Sequence, residues 1–135
     1  MGKTRIVLDT NILISSFGWE GNPKKIFDLI IKGDEQLIIS SEQFEELSEA
    51  LDYPKFDFSE EQKSRFKSLI LKVATMVYPQ EKVNFITDDP DDNTILEAAL
   101  AGKADYIITG DSHLLDVMEF RGIKIVPAKE FIEKR

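Results

Sequence analysis

Carboxylates are the main chemical resource of this chain: its 135 residues include 25 Asp and Glu, a single His and no Cys. The absence of Cys excludes disulfides, zinc ribbons, thiol nucleophiles and thiol redox chemistry, and His113 alone excludes a site built from several histidines. The acids are not spread evenly. Asp9 directly follows the apolar run Arg5-Ile6-Val7-Leu8, and Asp111 lies just past Tyr106-Ile107-Ile108. Asp88, Asp89, Asp91 and Asp92 crowd around Pro90, and Glu42, Glu45, Glu46 and Glu49 follow the apolar run Leu37-Ile38-Ile39. If Asp9, one of these Glu, an acid of the 88–92 cluster and Asp111 converge, they form an all-oxygen site suited to Mg²⁺ or Mn²⁺. Such a site activates water and clamps the oxygens of an in-line displacement at phosphorus, so it needs no Ser, Cys or His nucleophile.

The elements that would position these acids follow from the apolar pattern. The runs at 5–8, 37–39, 75–78, 106–108 and 123–126 read as short strands. Helices are predicted between them. Asn22 as N-cap with Pro23 behind it opens a helix over 24–32 that Gly33 stops, with Ile26, Phe27, Leu29 and Ile30 inward. Ser40 with Gln43 signals a helix to about Asp52, and Ser59 with Gln62 a second one carrying Phe66, Leu69, Ile70 and Val73 at i, i+3, i+4, i+7. Residues 81–87 read as a loop. Asp89-Pro90 opens a helix through Ala101, a short helix follows Asp111 to Leu115, and Pro127 starts a terminal one. This alternation predicts one α/β domain over 1–135: a three-layer α/β/α sandwich around a mostly parallel, twisted sheet of four to five strands. In such sheets functional groups gather beyond the C-terminal strand ends, where Asp9 and Asp111 fall.

Structural roles compete for the same acids. An acid after a strand is a common turn residue. With Asp89 at N-cap and Pro90 at N1, Asp92 falls at N3, so capping and the helix dipole account for one or two of that cluster. Four like charges in so short a stretch also repel, which a cation would relieve. Along the second helix, at about 100° per residue, Glu42 and Glu49 lie opposite the Phe44, Leu47, Leu51 stripe while Glu45 and Glu46 flank it. Periodicity leaves Glu45 and Glu46 as equal candidates.

The net charge of −8 excludes a surface that grips a nucleic-acid backbone without metal, because log-affinity for such a polyanion comes from Lys and Arg. Lys24, Lys25 and Lys32, or Lys103, Arg121 and Lys124, are the cations available for a local basic rim, besides serving as solubilising charge. Trp19 is a candidate for stacking on a base or for a subunit contact, and Phe17 for either role or for core packing. No apolar run reaches the length of a membrane span, and the start shows no signal-peptide pattern, so a cytoplasmic protein is expected.

IVLDTNIL at 6–13, SSEQFEELSEAL at 40–51, DDPDDNTILEAALAGKADYIITGDSHLL at 88–115 and IVPAKEFI at 125–132 together give the chain an end-to-end likeness. In their order and spacing it resembles the PIN domain family, most closely the small single-domain prokaryotic PIN proteins of toxin–antitoxin pairs. The resemblance implies a metal-dependent endoribonuclease in which Asp9, Glu46, Asp92 and Asp111 hold Mg²⁺ or Mn²⁺. It selects Glu46 over Glu45, because the family places its second acid directly before a core Leu, here Leu47. Asn11, Thr109 and Ser112 match polar positions that orient the acids or contact phosphate, and Asp91 is the alternative to Asp92. It further implies an RNA substrate, an antitoxin protein as partner and, since homodimers are common in the family, self-association. One departure stands out: where the family often carries an auxiliary acid, this chain has His113, which reads as an exposed residue of a short helix rather than a ligand.

Two other readings are weaker. Phosphatases of the haloacid-dehalogenase type also place an Asp after their first strand, but require a second Asp two positions on, where this chain has Asn11. A non-catalytic binding module would keep the fold and use the acids for a structural cation, and the retained set of four argues against it.

Overall fold

A computed structural model of the protein describes residues 2–85 and 90–134, with backbone alone at Pro90 and Asp91. Strands β1 (Thr4–Leu8), β2 (Glu35–Ser40), β3 (Thr75–Val77), β4 (Tyr106–Ile108), β5 (Glu119–Phe120) and β6 (Ile123–Val126) form one sheet in the order β3-β2-β1-β4-β6-β5. All pairings are parallel except that of β5 with β6. The described helices are α1 (Thr10–Gly18), α2 (Asn22–Lys32), α3 (Ser41–Leu51), α4 (Glu60–Val73), α5 (Pro90–Ala101), α6 (Ser112–Val117) and α7 (Ala128–Glu133).

Strand residues alternate between the two faces, as the period of two demands. Ile6, Leu8, Leu37, Ile39 and Ile108 pack on one face with side chains such as Leu13, Ile26, Leu47, Phe66 and Phe131. Val7, Ile38, Ile107 and Ile125 pack on the other with Ile95, Leu96 and Leu114. The sheet is therefore covered on both sides, the expected three-layer α/β/α arrangement, with six strands rather than four or five. The chain winds outward from β1 through β2 to β3, then returns to β4 on β1's other side. The strand order thus reverses between β1 and β4, and the crevice beyond their C-terminal ends is where such sheets place ligands.

Three local readings are corrected. The turn expected at Asp9-Thr10-Asn11 after β1 is instead the start of the helix α1 (Thr10–Gly18), capped by Asp9 itself. The contiguous Ile12, Leu13 and Ile14 masked its period. At α2 the cap is Gly21 rather than Asn22: Gly21 adopts φ 138°, open to glycine, and no side chain caps the helix. At α3, Ser40 accepts from the Gln43 backbone, but the Gln43 side chain turns elsewhere, so the reciprocal box forms only at Ser59 and Gln62 before α4. Strand β5 was too short to show a pattern. The expected cap at Asp89 lies outside the described residues. Among the described residues no helix is long and apolar enough to cross a membrane.

Candidate active site

Beyond the C-terminal ends of β1 and β4 opens a cleft of about 850 Å³. Among the described residues seven carboxylates line it, those of Asp9, Glu42, Glu45, Glu46, Glu49, Asp92 and Asp111, against one basic residue, Lys55. Four features of the chain deliver them: the end of β1, helix α3, the first turn of α5 and the β4–α6 turn.

Asp9 leaves β1 and caps α1 in the same step. Its Oδ1 accepts the Ile12 N–H at 2.8 Å, and its Oδ2 accepts the Thr109 hydroxyl. The residue is only 9% exposed. Burial pushes its pKa above the ordinary carboxylate value, and the charge of Asp111 adds to this. Hydrogen bonds from Thr109, Ile12 and Gly110 pull in the opposite direction. Thr109, wholly buried at the end of β4, joins the two strand-end acids: its hydroxyl donates to Asp9 and accepts the Asp111 N–H at 3.0 Å.

Asp111 caps α6, with Oδ1 accepting N–H bonds from His113 at 2.7 Å and Leu114 at 3.4 Å. Asp92, in the first turn of α5, is 6% exposed and reaches the same cleft. The Asp91 alternative cannot be compared with it, since the Asp91 side chain lies outside the described residues. Helix α3 forms the opposite wall. The buried Gln43 amide donates to the Leu8 carbonyl at 2.5 Å and so fastens α3 over the end of β1.

All four glutamates of α3 line the cleft, with Glu46 half-buried and Glu42, Glu45 and Glu49 exposed. The helical-wheel reading put Glu42 and Glu49 opposite the core stripe. They do point away from the core, but the cleft extends along that outer face. Asn11 lines the cleft as an exposed residue of α1, whereas Ser112, exposed at the start of α6, is not among its lining residues.

His113 does not stand apart from the acids. Donor atoms of Asp92, Asp111 and His113 all lie within 4.8 Å of one another. Carboxylate oxygens from two strand ends and one helix start, gathered in a cleft with a single Lys, suit a hard divalent cation.

None of the lysines and arginines considered for a basic rim lines this cleft. Lys24 pairs with Asp28 and Arg121 with Glu81. The cleft's cation is Lys55, beside Tyr53, in the turn after α3 that includes the short 3-10 segment Pro54–Phe56. Neither residue carried a periodic signal, and both were missed. Tyr53 stacks on Phe56, which meets Trp19 edge-on, and Tyr53 and Trp19 are each 52% exposed. Phe17 instead stacks on the buried Phe66 and belongs to the core.

A family profile described as a PIN domain matches residues 5–113. No curated protein matches the sequence significantly. Among solved structures, PAE2754 from Pyrobaculum aerophilum is similar with a TM-score of 0.67 at 14% identity, over 97% of this chain and 88% of that one. VapBC2 from Rickettsia felis, determined bound to a DNA fragment from their promoter, is similar with a TM-score of 0.62 at 17% identity, over 90% of this chain and 97% of that one. At these identities the likeness is one of fold.

Proposed function

The chain belongs to the PIN domain family, and on that premise we propose that it is a divalent-metal-dependent endoribonuclease, the toxin of a toxin–antitoxin pair. The observation that supports this most is the buried Asp9, within reach of the Asp111 charge at the order reversal of the sheet, in a carboxylate-rich cleft that Asp92 also lines. Burying like charges together is costly without a compensating cation. In this reading Asp9, Glu46, Asp92 and Asp111 hold Mg²⁺ or Mn²⁺. The bound ion supplies a water-derived nucleophile and charge neutralisation at the phosphate.

The chain's own residues do the rest. Thr109 fixes the orientation of Asp9 and of the Asp111 backbone through two hydrogen bonds. Asn11, which lines the cleft, is assigned contact with a phosphate oxygen, and Ser112 the same kind of role from the start of α6. Lys55 draws the RNA backbone into an otherwise repulsive cleft, and exposed Tyr53 and Trp19 offer faces on which unpaired bases stack. The net charge of −8 then acts against any nucleic acid not bridged by a cation. The VapBC2 likeness, together with the sequence resemblance, motivates the search for an antitoxin encoded beside this chain.

The test is RNA cleavage with Mg²⁺ or Mn²⁺, comparing wild type with Asp9→Asn and Asp111→Asn. Each substitution is expected to reduce cleavage by roughly 10²-fold or more, since removing a charge ligand forfeits several kcal/mol of transition-state stabilisation. Equal cleavage by all three proteins would trace the activity to a contaminant. Glu46→Gln beside Glu45→Gln, and Asp92→Asn beside Asp91→Asn, assign the second and third ligands. Metal-dependent RNA binding with no cleavage under any condition would instead favour the binding-module reading.

A further inference from the structure

We propose that His113 is a ligand of the divalent-ion site, giving it a mixed nitrogen–oxygen donor set with Asp92 and Asp111 that favours Mn²⁺ over Mg²⁺. This rests on the reading of the cleft as a cation site, and adds to it a donor and a metal preference. Asp111 and His113 share the start of α6, and Asp92 arrives from a separate place in the chain. Asp92 comes from the first turn of α5, Asp111 from the β4–α6 turn, and His113 from the second position of α6. Their donor atoms nevertheless fall within 4.8 Å of one another. Ligands at about 2.1 Å from one metal stand roughly 3 Å apart when adjacent and about 4.2 Å apart when opposite, so small side-chain adjustments complete the set.

Local structure supports that adjustment. Asp111 Oδ1 accepts both the His113 and Leu114 backbone N–H groups, which holds the start of α6 against the acid. The imidazole Nδ1 lies 3.5 Å from the same oxygen, on the long side for a hydrogen bond but short enough for two ligands of one ion. The His113 side chain is 50% exposed, so its ring has room to turn while Asp92 is fixed by burial. Imidazole is a poor ligand for Mg²⁺, which dehydrates reluctantly and prefers oxygen. Mn²⁺ accepts both donor types.

The test is metal binding by the intact chain without RNA. Calorimetry with Mn²⁺ and Mg²⁺, and pulsed electron paramagnetic resonance of bound Mn²⁺, are applied to wild type, His113→Ala, His113→Asp and Asp111→Asn. The expected result is ¹⁴N modulation on wild-type Mn²⁺ that vanishes in His113→Ala. That variant should bind Mn²⁺ at least about tenfold more weakly, since even outer partners of ligands are worth 10–100-fold. His113→Asp restores an all-oxygen set and should narrow the gap between Mn²⁺ and Mg²⁺ affinities. If wild type binds Mn²⁺, Asp111→Asn loses it, and His113→Ala binds as wild type with no ¹⁴N signal in either, the His113 ligand is overturned and the carboxylate site stands. If wild type binds neither ion, both this inference and the metal site beneath it fall.

Discussion

The two edges of the central sheet are made from the same strands, yet acids at the two edges meet opposite fates. At the N-terminal edge, Asp105 Oδ2 accepts the Arg5 N–H at 2.9 Å, and its backbone bridges to Arg5 and Lys124 on the neighbouring strands. The hollow there carries Lys3 and Lys124 around that one acid. At the C-terminal edge the backbone links are equivalent: the Asp9 N–H donates to Ile108, and the Thr109 N–H to Val126. The cleft beyond them, however, gathers seven carboxylates against one Lys among the described residues. Hydrogen bonding to the backbone is common to both edges and so does not mark a functional acid. The distinguishing feature is burial of like charges together, a cost that folding alone gives no reason to incur.

Asp9→Asn breaks this contrast most severely. Cleavage should fall by roughly 10²-fold or more, while the metal-free protein should melt higher than wild type wherever the wild-type Asp9 is ionised. The sign follows from the direction of its pKa. A carboxyl whose folded pKa is raised contributes stability below its ordinary value of 3.8, and that contribution is lost as pH rises through the folded pKa. Above that raised pKa the ionised Asp9 therefore weighs against the fold. Asn removes the charge, and its carbonyl oxygen still serves as an N-cap acceptor. Thermal melts at successively lower pH check this: the gap between the two proteins should close as pH falls through the raised pKa and Asp9 takes up a proton. A gap that stays constant would mean that Asp9's ionisation is not what separates the edges.

Thr109→Val should have a smaller effect of a different kind. Valine fills the space of threonine but neither donates to Asp9 nor accepts from Asp111. Every acid remains in place, with two of them less well oriented, so metal affinity and cleavage should each drop about 10- to 100-fold, as for other partners that orient ligands. The half-buried Asp111 N–H loses its acceptor as well, which costs about 1–3 kcal/mol in chemical denaturation. Serine at the same position keeps the hydroxyl and should recover most of the lost metal affinity. Failure of serine to do so would place the effect in packing rather than in the hydrogen bonds.

The sequence revealed the acids and strands of the C-terminal edge because both signals are local: a β-branched run gives the strand, and the residue after it is the edge. Asp9 and Asp111 could be placed in this way, and the resemblance to PIN domains then singled out Glu46 and, with Asp91 as its alternative, Asp92. What stayed hidden is set by tertiary packing. The wheel for α3 identifies the core side through Leu47 and Leu51, but not that a cleft runs along its outer glutamates. Tyr53 and Lys55 follow a helix end, where no period exists to place them. His113 was read as exposed, and at half exposure that holds, but its neighbour Asp92 comes from α5, which only the fold brings beside the start of α6. Helix α1 was lost because Asp9 was weighed as a turn residue or a ligand and not as a cap, although one carboxylate has two oxygens and here uses them in two directions.

Asp105→Ala should produce the smallest change, and it tests the other half of the contrast. The substitution removes the acceptor of the Arg5 N–H at an exposed position, where water can replace it, so the expected loss is about 0.5–1.5 kcal/mol in denaturant unfolding. Arg5 keeps its side-chain bond from Nε to the Gly102 carbonyl at 2.8 Å, which holds the start of β1 to the end of α5. Cleavage per folded molecule and Mn²⁺ affinity should both stay within about twofold of wild type, because no charge in the cleft is altered and the substituted position sits at the far end of β1 and β4 from it. A loss of metal affinity approaching that of Thr109→Val would show that the sheet transmits strain from one edge to the other. The acids at its two ends would then have to be treated as one coupled system.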